Sequence, residues 1–161
     1  MLLRWLKIMM VASIALFFSL TAYDNIVDHS FNLNAVQHVL VMDTISKSST
    51  LMNRSISNIS TQKIAFGSII ATETLAALFS WLGAILLFWY RRDPVQFVRK
   101  KQIANLGLGI GLLLYLLGFL VIAGEWFVMW QSTQWNAEQT ASYLSIIILA
   151  SLIFLNQEEN A

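Results

Sequence analysis

Long apolar stretches separated by polar segments organise the chain. Four runs, at residues 5–23, 64–90, 103–130 and 139–155, carry almost no charge. Crossing the hydrocarbon core of a bilayer takes about 20 apolar residues, with a range of about 17–25. The first and fourth runs lie near the short limit, and the second and third are long enough to tilt or protrude. No run alternates apolar and polar residues with period two, which argues against a barrel. The pattern predicts one all-α integral membrane domain over residues 1–161, a four-helix transmembrane bundle. An even number of spans puts both termini on one side. A long loop, residues 24–63, joins the first two spans, and a basic loop, residues 91–102, joins the second and third.

Composition agrees. Hydrophobic residues make up 57 % of the 161 and charged residues 12 %. A soluble domain has about 25 % charged residues. A chain this short buries only about two-thirds of its unfolded surface, so lipid must cover the rest. The net charge of +1 gives no basic footprint for nucleic acid. Cysteine is absent, which removes disulfides, thiolate metal sites and cysteine nucleophiles. The first run also has the outline of a signal peptide, with Arg4 and Lys7 before an apolar core. Leu20-Thr21-Ala22 lacks a small residue at its first position, so an uncleaved helix is the preferred reading.

Lys and Arg set the orientation. The N-terminus and the basic loop hold seven (Arg4, Lys7, Arg91, Arg92, Arg99, Lys100, Lys101), against three in the long loop (Lys47, Arg54, Lys63). Both termini are therefore expected in the cytoplasm and the long loop outside. Tyr23, Trp126, Trp130 and Trp135 would form the outer aromatic belt, and Trp5, Trp89 and Tyr90 the inner one. Pro94 falls in the basic loop, where it breaks no span.

The extracytoplasmic loop is expected to be partly helical. Asn32 or Asn34 could cap a short helix over residues 35–44, with Val36, Leu40 and Leu33 lying on the bundle or the headgroups. Its second half is rich in Ser, Asn and Thr. Asn53-Arg54-Ser55 and Asn58-Ile59-Ser60 match the glycosylation pattern, a frequent chance match. Asn136 could cap the fourth helix, with Gln139 completing a capping box.

Two acids fall inside spans, Glu73 and Glu125, and an ionisable group there is a functional hypothesis. At about 100° per residue, Gly107, Gly111, Gly118 and Glu125 fall within about 40° of one another. Glu73 shares an arc of about 100° with Ala76, Ala77, Ser80 and Ala84. Small residues mark close helix contacts, so both carboxylates are expected to face the bundle and share an outer polar pocket. Each is read as a structural hydrogen-bonding group or as a ligand, proton or quinone site. The Gly107–Gly111 pair reads as helix packing, since no strand precedes it for a nucleotide fingerprint. His29 and His38, with Asp24, Asp28, Asp43, Met42 and Met52 nearby in sequence, match no strong metal motif. Solvated or hydrogen-bonded histidine is preferred over a metal or haem ligand. No metal site and no cofactor is predicted.

The stretch from Val36 to Thr44, then Arg54 and Glu73, and above all Gly124-Glu125-Trp126-Phe127-Val128-Met129-Trp130-Gln131-Ser132 with Trp135-Asn136 and Gln139, resembles the family of predicted small integral membrane proteins termed domain of unknown function 2165. The resemblance covers nearly the whole chain. The family carries an aromatic before the arginine where this chain has Met52-Asn53-Arg54. The resemblance implies a bacterial inner membrane and four helices, but no activity. It directs attention to His38, Asp43, Arg54, Glu73, Glu125, Trp126, Trp130, Gln131, Trp135 and Asn136 as a candidate outer pocket, with Arg54 the natural ion partner of one glutamate.

A non-enzymatic accessory or ligand-binding membrane component is the leading expectation. The alternatives are proton-coupled or small-solute transport by an oligomer, and quinone- or haem-linked redox chemistry. The expected partners are the lipid bilayer and another membrane protein or a second copy of the chain, with no nucleic acid.

Overall fold

Polar residues at the ends of the apolar runs start the helices. Asn58 Oδ1 accepts the backbone N–H of Thr61 at 3.0 Å, and Asp93 Oδ1 accepts that of Gln96 at 3.0 Å. Each side chain supplies an acceptor that a helix N-terminus otherwise lacks. Pro94 occupies the first turn after Asp93, where its missing N–H costs nothing. The computed structural model describes residues 1–158. Its helices are α1 (Leu2–Val27), α2 (His29–Val41), α3 (Ile59–Trp89), α4 (Pro94–Leu113) and α5 (Glu138–Asn156). Helix α4 runs on as a π-helical segment, Leu114–Trp126. Short 3-10 turns occupy Thr50–Arg54 and Met129–Gln131.

Among the described residues, four helices are long and apolar enough to cross a membrane: α1, α3, α4 with its π segment, and α5. The expected four-span, all-helical architecture is therefore present. Its boundaries differ from the apolar runs. Helix α4 begins at Pro94 rather than at 103, so Arg99, Lys100 and Lys101 stand on its first turns and not in a loop. A hydropathy threshold misses these turns because Lys, Arg and Gln are good helix formers that are merely not apolar. At the other end the helix stops at Trp126, and the chain turns at Val128.

Both termini and the α3–α4 turn meet at one end of the bundle. Arg4 Nη1 donates to the carbonyl of Arg91 at 2.8 Å. Asn105 and Asn156 exchange amide hydrogen bonds at 2.8 and 2.9 Å. Lys7, fully buried on α1, donates to the carbonyl of Gln157 at 2.7 Å. Lys101 donates to the same carbonyl at 3.3 Å. The C-terminal end of a helix has unpaired carbonyls and the negative end of its dipole, so ammonium groups belong there. Two lysines that read as topology signals thus also fasten α5 to α1 and α4.

The core forms where small residues let helices approach. A Cβ on Gly83 would lie 2.5 Å from the Cα of Ala104, and one on Gly107 would lie 2.4 Å from the backbone nitrogen of Ser80. One on Gly111 would fall 1.9 Å from Cζ of Phe18, itself wholly buried. The Gly107–Gly111 reading as a packing surface holds. Helix α1 belongs to this core through Val11, Ile14 and Phe18.

The helical phase changes at Leu114. In a π-helix each N–H bonds the carbonyl five residues back, so each residue turns the chain by less than in an α-helix. The amide of Phe127 closes the segment on the carbonyl of Ile122 at 3.0 Å. The predicted face drifts accordingly. Gly107 and Gly111 are buried, Gly118 is half-buried and Glu125 is exposed. The expectation that Glu125 faces the bundle is corrected on this ground, since a 100° periodicity cannot be carried across a π segment. Glu73, on regular α3, is buried as expected.

Candidate functional site

The end of the bundle opposite the termini carries a cap. Helix α1 ends at Val27, and Asp28 pivots the chain into α2. The helix expected at residues 35–44 therefore starts earlier, at His29, and uses neither Asn32 nor Asn34 as its cap. It ends at Met42, whose φ of 59° places it in the left-handed region. The amide of Met42 bonds back to the carbonyl of His38 at 3.0 Å, a helix-ending geometry that glycine usually supplies. As expected, Leu40 is buried and Val36 packs beside it.

From Met42 the chain crosses to the segment after α4. Leu40, Met42, Ile45, Phe127 and Val128 form one buried apolar cluster, separate from the main core. Val128 has φ 56°. Positive φ is an outlier for a β-branched residue and costs on the order of 1–3 kcal/mol. Both left-handed residues are almost wholly buried within this cluster, which holds them there. Polar bonds line its edge. Thr44 Oγ1 donates to Ser132 Oγ at 2.9 Å, which also accepts the amide of Trp135 at 3.0 Å. The amide of Ser46 donates to Gln131 Oε1 at 3.2 Å.

The ten candidate residues do not share one pocket. His38, Asp43 and Trp135 do come together. His38 Nδ1 lies 2.8 Å from Asp43 Oδ2 and 3.0 Å from Oδ1, and its ring stacks on the Trp135 indole at 5.0 Å. Arg54 and Trp126 form a second pair. The guanidinium lies 4.5 Å from the indole centroid and donates to the Trp126 carbonyl at 3.3 Å. Arg54 therefore pairs with neither glutamate, contrary to expectation, because Glu73 is buried elsewhere and the aromatic face holds the cation. Trp130 is exposed, and its carbonyl accepts Asn136 Nδ2 at 3.4 Å. Asn136 Oδ1 accepts the Glu138 amide at 2.9 Å, close to its expected capping role. Gln139 instead bonds Tyr143, so no capping box forms. Glu73 accepts a hydrogen bond from Asn25 at 2.8 Å, on the α1 side of α3.

His29 packs edge-on against Phe66 at 5.1 Å. Among the described residues, no three His, Cys, Asp or Glu side chains converge. Asn58 is engaged as the cap of α3.

Beneath the cap lies a crevice of about 330 Å³. It is bounded by α2 (Val36, Val39), α3 (Ala65, Thr72) and the π segment (Gly118, Phe119), with Phe127 and Trp135 under the cap. Its lining is overwhelmingly apolar, so the expected polar pocket is replaced by an apolar one. Thr72, Leu114, Gly118 and Ile122 also line a shallow groove that continues from it along the bundle surface. The hydroxyls of Ser68 and Thr72 bond back to carbonyls of their own helix. Trp135 lines the crevice and carries His38 on its ring, which connects the apolar space to the polar cluster.

Sequence reasoning missed this crevice, the Thr44–Ser132 bond and the Gln37–Gln62 bond at 3.0 Å between α2 and α3. Gln62 offered a signal, as an uncharged polar residue at the head of a span. Val128 offered none, because its side chain is among the least suited to its backbone.

No curated protein and no solved structure matches the chain. The model of one family does, over residues 3–158, and that family has no assigned activity. The chain belongs to the family of predicted small integral membrane proteins, domain of unknown function 2165.

Proposed function

We propose that the chain is a non-enzymatic membrane component that binds the apolar chain of a lipid-like amphiphile at its capped end. The crevice carries this reading. Its volume is at the lower end of the range for ligand sites, about 300–1,000 Å³. Its lining is apolar, and the groove that continues from it faces where lipid would lie. An acyl or isoprenoid chain could enter sideways from the bilayer without crossing water. The polar head would then meet the cap, where Trp135, His38 and Asp43 cluster. The Lys and Arg asymmetry supports a cytoplasmic position for the termini and an outer position for the cap, and the family resemblance implies a bacterial inner membrane.

Transport by an oligomer would need a polar path. The buried polar group around Glu73 meets an aromatic wall instead, where Tyr115 packs against Phe17, Phe18 and Phe119.

The test uses purified protein and a spin-labelled stearate. Saturable immobilisation of the label is expected, with loss in Gly118→Phe and Ala65→Phe, which fill the crevice. Unsaturable uptake, or equal uptake by the filled variants, would refute the reading. Because the chain lacks cysteine, a single cysteine at Ser57 reports sidedness through an impermeant maleimide in intact cells.

A further inference from the structure

Arg54 stands between two walls of the crevice. The 3-10 turn that carries it rests on the buried cap cluster through Leu51 and Met52. Two residues later, the amide of Ile56 bonds the carbonyl of Leu40 at 2.8 Å, and Leu40 lines the crevice from α2. On the other side, Arg54 Nη1 donates to the carbonyl of Trp126 at 3.3 Å. Ile122, Ala123 and Phe127 of that same stretch line the crevice. The guanidinium lies over the exposed Trp126 ring, 4.5 Å from its centroid. Its bond to the carbonyl uses one of five N–H donors. Among the described residues, no carboxylate lies within ion-pair distance of Arg54. Asp43, the acid of the cap, is turned to His38 Nδ1 at 2.8 Å.

We propose that Arg54 is the head-group site of the lipid-like ligand, and that this ligand is anionic: a phosphate-headed lipid without a compensating ammonium. The inference rests on the crevice holding the lipid's chain. A tryptophan at the end of a span sits at the depth of the lipid head groups. Its ring therefore holds the guanidinium where the phosphate begins, just beyond an acyl chain lodged in the crevice. The planar fork can meet two phosphate oxygens at once, while its face stays on the indole. A head that carries an ammonium would bring a second cation against the first. Lys63, an exposed cation near the start of α3, is turned about 160° from Ala65 on the crevice side of that helix and takes no part.

Spin resonance of the full chain in a nonionic detergent tests it, with phosphatidylglycerol and phosphatidylcholine labelled on the same acyl chain. Both labels should be saturably immobilised, phosphatidylglycerol with severalfold higher affinity. Arg54→Gln should bring phosphatidylglycerol down to the level of phosphatidylcholine and leave phosphatidylcholine unchanged. Lys63→Gln should change neither. Equal affinities in the native chain, a preference that survives Arg54→Gln, or one that Lys63→Gln removes would overturn this proposal and leave the crevice reading standing. Saturable binding of neither label would overturn both. Displacement of the label by glycerol phosphate as readily as by unlabelled phosphatidylglycerol would also overturn it, by showing a site for free phosphate.

Discussion

The imidazole of His38 lies flat on the indole of Trp135, with planes 8° apart and centroids 5.0 Å apart. The two residues are almost a hundred positions apart in the chain, one at the end of α2 and one just before α5. Their stack, with Asp43 holding the imidazole at 2.8 Å, helps seat the cap. An aromatic pair contributes about 0.5–1.5 kcal/mol beyond its buried area. His38→Ala should lower stability by about 1 kcal/mol on that basis. His38→Phe should recover part of the loss by stacking without the Asp43 bond. Thermal unfolding in detergent, followed by tryptophan fluorescence, measures both.

Docking of the cap can be caught covalently. Thr44 Oγ1 and Ser132 Oγ are 2.9 Å apart, and there is no native cysteine to interfere. Thr44→Cys with Ser132→Cys should form a disulfide in an oxidant, seen as a mobility shift on a non-reducing gel. Failure to cross-link would mean that the cap does not rest against the segment after α4.

Three glycines sort the helix contacts. Gly83→Ala and Gly107→Ala drive a methyl into backbone of the facing helix. Overpacking of this kind costs about 1–3 kcal/mol. Gly109→Ala meets nothing within 4 Å and should be neutral or slightly stabilising. Equal melting temperatures for all three would contradict the close approach of α3 and α4.

Lys7 is expected to matter for stability and not only for orientation. Lys7→Met keeps the length and apolar stem but removes the donor to Gln157. A hydrogen bond from a charged donor contributes about 1.5–3 kcal/mol, and Lys101 keeps only the longer bond to the same carbonyl. Limited proteolysis should then cut the C-terminal end of α5 faster than in the native chain. An unchanged cutting rate would show that Lys101 and the remaining contacts suffice.

Glu125 should be dispensable. It is exposed, so Glu125→Gln and Glu125→Leu should both stay within about 0.5 kcal/mol of the native protein. A large loss from either, in the same unfolding measurement, would place the carboxylate back inside the bundle.

Four spans, their order and the shared end of the termini were legible in the chain, because apolar length alone determines what a bilayer accepts. The inward face of Glu73 and the Gly107–Gly111 contact were legible too, since both lie on regular α-helix where 100° per residue holds. Glu125 was not, because the π segment from Leu114 resets the phase, and whether N–H groups bond four or five residues back is decided by packing. The cap was equally hidden. Met42 and Val128 adopt left-handed backbones that their side chains oppose, and a buried cluster drawn from both ends of the sequence holds them there. The apolar crevice beneath that cap exists only because three distant segments meet above a gap between α3 and the π segment. Local pattern fixes what each segment prefers, while phase shifts, strained turns and cavities come from contacts between segments far apart in the chain.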